Sequence, residues 1–141
     1  GCSALIETLK YKSAGFIFSA GISPTNTAAA LQTLRVIKQQ PERVKSLQQA
    51  SGMLLQGLKS LKLNTGLSYQ TPVVPVIFES EQQTVHLSLA LKAKGILAMP
   101  ILYPAVPKHL SRLRFFMNSS HSEDEIQKTL EAIKELMVNI R

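Results

Sequence analysis

Hydrophobic and polar residues alternate along the stretch "RLRFFM" near the carboxyl end of the chain. Leu113, Phe115 and Met117 take every second position, and Arg112, Arg114 and Phe116 take the alternate ones. An alternation with a period of two predicts a β-strand with one apolar face. The two guanidinium groups then share the opposite face, where they repel each other and are costly to remove from water. The pattern therefore predicts that an anion meets at least one of them.

Five other stretches carry the spacing or the boundary signals of helices. Ser23 and Ser122 stand where N-caps are expected, Pro24 suits a first helical position, and Glu125 completes a capping box with Ser122. The stretch "TVHLSLALKAKG" also alternates like a strand, but its Lys-Ala-Lys-Gly ending favours a helix. The predicted helices cover residues 3–11, with Leu5, Ile6 and Leu9 inward; 24–40; 42–61, with a stripe from Val44 to Leu61; 84–95; and the stretch from the Ser122 cap to Ile140.

Two further stretches are predicted to be extended. The first, "TPVVPVIFES", is rich in β-branched residues, and Pro72 and Pro75 place it at the edge of a sheet. The second, "ILAMPILYPAVP", is broken by three prolines. Together with the arginine strand they predict an α+β fold in which helices cover a small sheet.

Composition excludes several classes of protein. The chain has 141 residues with 45% hydrophobic content, and Cys2 is its single cysteine. These values are typical of one globular domain in a reducing compartment, so a cytoplasmic location is predicted. No apolar run approaches the roughly 20 residues of a membrane-spanning helix, and no membrane partner is expected.

The distribution of charge and the absence of known motifs restrict the kinds of ligand that the sequence predicts. The net charge is +7, but the basic residues are dispersed along the chain and no nucleic-acid-binding motif accompanies them. No nucleic-acid partner is therefore predicted, and an anionic substrate or cofactor explains the basic balance equally well. The chain has no phosphate-binding loop, dinucleotide fingerprint or metal-ligand spacing, so no metal site is predicted.

Several polar residues allow both a structural and a functional interpretation. Arg112 and Arg114 could reach solvent or pair with carboxylates elsewhere in the fold. Ser19 could be a turn residue, although "FIFSAGISP" combines a hydroxyl, small residues and a helix start, as anion-binding loops do. His121, which precedes the capping Ser122, favours a local hydrogen bond.

In combination, three segments resemble the α-oxoamine synthase family of pyridoxal phosphate (PLP) enzymes. They are "LKYKSAGFIFSAGISPTNTAAALQTL", "TPVVPVIF" and "YPAVPKHLSRLRFFMNSSHSEDEI", in family order and spacing. The family includes glycine C-acetyltransferases, 8-amino-7-oxononanoate synthases and serine palmitoyltransferases. The resemblance implies the small C-terminal domain of the aspartate-aminotransferase-like fold (fold type I), with a small antiparallel sheet covered by helices and preceded by a long connecting helix.

The resemblance also implies a domain organisation. Residues 1–22 correspond to the end of a large PLP domain, 23–40 to the interdomain helix, and 41–141 to the small domain. The family's Schiff-base lysine lies upstream of the position that matches Gly1. The chain is therefore expected to be a C-terminal fragment that holds no catalytic residue, binds no PLP and is inactive alone.

Two sites follow from the resemblance. Arg114 corresponds to the arginine that binds the carboxylate of the amino-acid substrate, and it is expected to lack a firm partner within this chain. Ser19 and Ala20 correspond to a hydroxyl pair that reaches the PLP phosphate across a homodimer. Because many members have threonine at the second position, Ala20 can offer only its backbone N–H. Arg112 has no equally firm role.

The implied reaction joins an amino acid to an acyl thioester, carried by CoA or by an acyl carrier protein, to give an α-amino ketone. Two alternatives stay open. One is a free-standing, non-catalytic binding or regulatory domain of the same fold. The other is a fold type I aminotransferase, which the "RLR…SSH" spacing disfavours.

Overall fold

The chain forms two compact units, Gly1–Gln39 and Gln40–Arg141. The computed structural model of the protein describes residues 1–69 and 71–138. Each unit is described by itself below. The described part of the chain has no helix that is both long and apolar enough to cross a membrane.

The first unit consists of three helices, α1 (Ser3–Lys12), α2 (Ala14–Ile17) and α3 (Pro24–Gln39). As predicted, Ser23 is the N-cap of α3: its Oγ accepts a hydrogen bond of 3.3 Å from the backbone N–H of Asn26. The inward placement of the apolar face of α1 is wrong, because each of its three residues is 45–50% exposed (Leu5, Ile6 and Leu9). Within this unit α1 contacts the four-residue α2, which is too small to cover that face.

The described residues of the second unit form three helices and three strands. The predicted helices are confirmed, and the ambiguous stretch is helical from Glu81 onward. That helix begins earlier than predicted because Ser80 Oγ caps it by accepting from the backbone N–H of Gln83, at 3.2 Å. The predicted position Ile140 lies outside the described residues. The elements are α4 (Glu42–Ser60), β1 (Val73–Phe78), α5 (Glu81–Ala93), β2 (Met99–Ile101), β3 (Ser111–Phe116) and α6 (Glu123–Val138).

The three strands form an antiparallel sheet in the order β1-β3-β2. The arginine strand β3 is therefore central, and β1 lies at an edge as its prolines predict. In the register of the sheet, Pro75 of β1 and Met99 of β2 both stand opposite Arg114. Position 114 thus has an apolar cross-strand neighbour on each side.

The core lies between one face of the sheet and the helices. Leu113 and Phe115 of β3 are buried there. They belong to one cluster with buried residues of β1 and the helices, among them Val74, Val76, Leu54, Leu58, Leu87, Leu91, Ile126 and Ile133. Only the second half of α4 enters this core. The predicted stripe is therefore wrong at Val44, which is 39% exposed.

A buried pair of hydroxyl groups ties α5 to the sheet. Ser111 Oγ donates to the carbonyl of Phe78 at 3.0 Å and lies 2.9 Å from Thr84 Oγ1. Thr84 Oγ1 in turn lies 2.9 Å from the carbonyl of Ser80. Because each hydroxyl has one proton, the two groups share a single chain of hydrogen bonds across the interface.

Candidate functional site

The outer face of the central strand carries the arginines. Ser111, Leu113 and Phe115 are buried, whereas Arg112 and Arg114 are half-buried. The predicted alternation is therefore present, with the two cations on the face opposite the core. A carboxylate that reached this face would meet guanidinium groups held by the most fully hydrogen-bonded strand of the sheet.

Both arginines line a shallow cavity of about 370 Å³ beside the loop that leads into β1. Ser68, Tyr69 and Thr71 contribute to the lining from that loop, and no described residue of the lining is acidic. The loop is held to the sheet because Thr71 Oγ1 donates to the carbonyl of Val73 at 2.9 Å. The cavity therefore has the charge and the polar groups to accept a small anion.

The guanidinium group of Arg114 has no hydrogen bond and no ion pair with any described residue. The guanidinium lies near the aromatic ring of Phe116, whose centroid is 5.9 Å from Arg114 Cζ. This distance is within the range of a cation–π interaction. The sequence alternation places Phe116 on the same face as Arg114 but assigned it no role.

Arg112 is engaged locally. Its Nε donates to the backbone carbonyl of Leu110 at 3.1 Å. Because Arg112 and Arg114 are two positions apart on the same face of β3, their like charges repel each other. Neither arginine has a carboxylate partner among the described residues, so a bound anion would relieve this repulsion.

Ser19 and Ala20 lie just after α2 in the first unit, and both are exposed. Ser19 Oγ donates to the carbonyl of Phe16 at 2.6 Å, and the Ser19 backbone N–H is directed to the same carbonyl at 3.1 Å. A hydroxyl and a backbone N–H are a donor set that suits a phosphate. Ser19 would have to rotate its hydroxyl away from Phe16 in order to donate to one.

The start of α6 is satisfied by its own residues. Ser122 N–H donates to Glu125 Oε2 at 2.8 Å, and Glu125 N–H donates to Ser122 Oγ at 3.3 Å, which confirms the capping box. Hydrogen bonds from the backbone and then the hydroxyl of Ser122 lower the pKa of Glu125. His121 Nδ1 accepts from the N–H of Asn118 at 3.2 Å, so the local interpretation of this histidine is confirmed.

A larger groove of about 820 Å³, which the sequence did not indicate, runs between the end of α5 and α6. The ion pair between Lys94 Nζ and Glu135 Oε2, at 2.9 Å, spans it. Throughout residues 1–69 and 71–138, no buried side-chain polar atom lacks a hydrogen-bond partner. The described residues also contain no group of three metal-ligating side chains.

Comparisons with known proteins identify the family of this chain. The sequence model described as aminotransferase class I and II matches residues 1–133. The chain belongs to the aminotransferase class I and II family. An 8-amino-7-oxononanoate synthase from Thermosipho melanesiensis is 34% identical over 136 residues, which make up 96% of this chain and 34% of that protein. The chain spans about a third of the length of the curated relatives it matches.

Solved structures of similar proteins share the fold. A serine palmitoyltransferase variant from S. paucimobilis with bound PLP–myriocin aldimine matches with a TM-score of 0.80 at 23% identity, over 95% of this chain and 34% of that chain. An 8-amino-7-oxononanoate synthase from Francisella tularensis matches with a TM-score of 0.78 at 21% identity, over 98% of this chain and 40% of that chain.

These matches confirm the resemblance to α-oxoamine synthases and the predicted fold class. The antiparallel three-stranded sheet with its helices has the fold of the small C-terminal domain of fold type I PLP enzymes. The homologues are enzymes, and they are named as synthases and acyltransferases of this type.

Proposed function

We propose that this chain is the C-terminal domain of a PLP-dependent acyltransferase that condenses an amino acid with an acyl thioester to give an α-amino ketone. In this proposal Arg114 binds the carboxylate of the amino acid. The observation that supports it is a half-buried guanidinium on a central strand, with no partner among the described residues and in a cavity whose described lining is not acidic.

The chemistry of arginine suits this role. A guanidinium is planar and always charged, and its fork of N–H groups meets a carboxylate with two parallel hydrogen bonds. The cross-strand neighbours Pro75 and Met99 are apolar and offer no competing acceptor side chain. A hydrogen bond to a charged group contributes about 1.5–3 kcal/mol in such surroundings. Two such bonds also fix the orientation of the substrate.

When bound, PLP would supply the electron sink for the reaction. The hydroxyl of Ser19 and the backbone N–H of Ala20 would hold its phosphate, reaching from the partner subunit of a homodimer. Residues 1–22 would then be the end of the large PLP domain, 23–40 the connecting helix and 41–141 the small domain. The proposal includes a cytoplasmic location and the inactivity of these 141 residues alone.

The test uses the protein that the complete gene encodes, purified with PLP. A panel of amino acids and acyl thioesters is screened for α-amino ketone formation, and Arg114→Ala is compared with Arg112→Ala. The hydrogen-bond energy above predicts that Arg114→Ala raises the amino-acid KM about 10- to 100-fold. Arg112→Ala should change it much less, because the described contact of Arg112 is with the Leu110 carbonyl.

Each other outcome identifies which part of the proposal fails. Equal, small effects of the two variants would remove the assignment of Arg114. Amino-group transfer without a thioester would identify an aminotransferase instead. A gene that encodes no PLP lysine upstream of Gly1 would favour a binding or regulatory domain over an enzyme.

A further inference from the structure

Phe116 is the aromatic residue of β3 that lies on the same outer face as Arg114. We propose that Phe116 is a positioning residue, which holds the guanidinium plane of Arg114 in the orientation that a substrate carboxylate needs. This inference rests on the proposed function of Arg114. It adds a residue that does not itself contact the substrate.

The geometry supports such a contact. Arg114 and Phe116 are two positions apart in β3, so both side chains project from the same face. The Phe116 ring centroid lies 5.9 Å from Arg114 Cζ. A ring that covers one face of a guanidinium leaves the N–H groups, which lie in the plane, free to donate. The contact therefore restricts the cation without using its hydrogen-bond donors.

The surroundings of Arg114 make the ring important. The cross-strand neighbours Pro75 and Met99 offer no side-chain acceptor that could orient the guanidinium. No described residue bonds to it. A long side chain without such a contact loses rotamer freedom when a ligand binds, which weakens the binding. Restricting Arg114 beforehand reduces that loss.

Core packing does not account for the position of Phe116. Its side chain is 55% exposed, and its cross-strand partner Val73 is 36% exposed. Burial that incomplete contributes less to stability than the buried Phe115 next to it, which faces the core. Replacing Phe116 by leucine should therefore change the Arg114 contact more than it changes the stability of the fold.

The first measurement is spectroscopic and is made on the 141-residue chain. In protein labelled with ¹⁵N-arginine, the Phe116 ring should shift the Arg114 side-chain N–H signal. Phe116→Leu should remove this shift, and Phe116→Tyr should preserve it. Tyr103→Leu, which removes a cation–π contact with Lys108 instead, is the matched control and should leave the Arg114 signal unchanged. Urea unfolding of each variant verifies that it is folded.

The second measurement is the amino-acid KM of the protein that the complete gene encodes. A cation–π contact of about 0.5–1 kcal/mol predicts that Phe116→Leu raises KM about two- to fivefold with kcat unchanged. Phe116→Tyr, which keeps an aromatic ring, should leave KM at its native value. If Arg114→Ala raises KM but Phe116→Leu changes neither KM nor the Arg114 signal, the inference about Phe116 is overturned alone. If Arg114→Ala leaves KM unchanged, the assignment of Arg114 fails first. A lost ring shift with an unchanged KM would also overturn the positioning role.

Discussion

The contact between α4 and α6 depends on a glycine. A Cβ atom added at Gly57 would overlap Leu130 Cδ1 and lie 2.7 Å from Leu130 Cδ2. Leu130 is half-buried and packs against the hydrophobic core. Gly57→Ala should therefore destabilise the second unit, although alanine favours helices far more than glycine does.

Two opposing free energies determine the size of the effect. Alanine in place of glycine inside a helix contributes about 0.5–1 kcal/mol of stability. Extra volume in a packed interface costs about 1–3 kcal/mol. The net expectation for Gly57→Ala is a loss of up to about 2.5 kcal/mol in the free energy of unfolding. The atoms that the new Cβ would displace belong to the Leu130 side chain. The loss of stability is therefore small if Leu130 can rotate away and large if it cannot.

The same helix provides the control. A Cβ at Gly52 would meet nothing within 4 Å, so Gly52→Ala should raise stability by about 0.5–1 kcal/mol. Urea unfolding followed by far-ultraviolet circular dichroism measures both variants, with equal slopes required for the comparison. In a Leu130→Ala background, Gly57→Ala should become stabilising. If Gly57→Ala raises stability as much as Gly52→Ala in the native background, the close approach of α4 and α6 is refuted.

Two further predictions concern hydrogen bonds. Thr84→Val and Ser111→Ala should each lower the free energy of unfolding by about 1–2 kcal/mol. The double variant should lose less than the sum of the two, because the two hydroxyls share one chain of hydrogen bonds. Strict additivity in urea unfolding would contradict this. Glu125 has a lowered pKa in the folded state because Ser122 donates to its carboxylate. Its stabilising contribution should therefore be present above the pKa of the unfolded chain and disappear as the pH falls through the folded pKa. The stability difference between the protein and Glu125→Gln should shrink in acid, and a difference independent of pH would disprove the linkage.

Features that depend on neighbours in sequence were predictable. The alternation in β3 follows from the pleat, and the cap at Ser122 from the chemistry of one hydroxyl and one carboxylate three residues apart. The helical character of α5 was predicted from its Lys-Ala-Lys-Gly ending. Its start was missed because Ser80 caps residues whose side chains show no helical spacing.

Burial was predictable only where the covering surface belongs to the same unit. Leu5 has the helical spacing of a core residue, yet it is 50% exposed, because α1 contacts the short helix α2 within Gly1–Gln39. Val44 fails in a similar way, because the first half of α4 extends beyond the packed core of the second unit. A periodic pattern identifies which face of a helix is apolar, whereas the partner surface determines whether that face is buried.

The candidate site also combines features that the local sequence predicts with features that depend on distant residues. The face that carries Arg114 followed from periodicity. Its apolar neighbours, Pro75 and Met99, come from strands distant in sequence and required the register of the sheet. The hydroxyl of Ser19 follows a four-residue helix, and its bond to Phe16 could not be predicted from spacing. The roles proposed for both residues come from the family resemblance.

Stability alone does not explain an arginine at position 114. A central strand favours β-branched and aromatic residues, and a half-buried cation there loses hydration without gaining a carboxylate among the described residues. A threonine or valine at 114 would extend the apolar surface between Pro75 and Met99 and would remove the repulsion from Arg112. The position therefore carries a cost in the free energy of folding. An anionic ligand that binds at the outer face would offset that cost only in the bound state, as expected for a residue retained for binding.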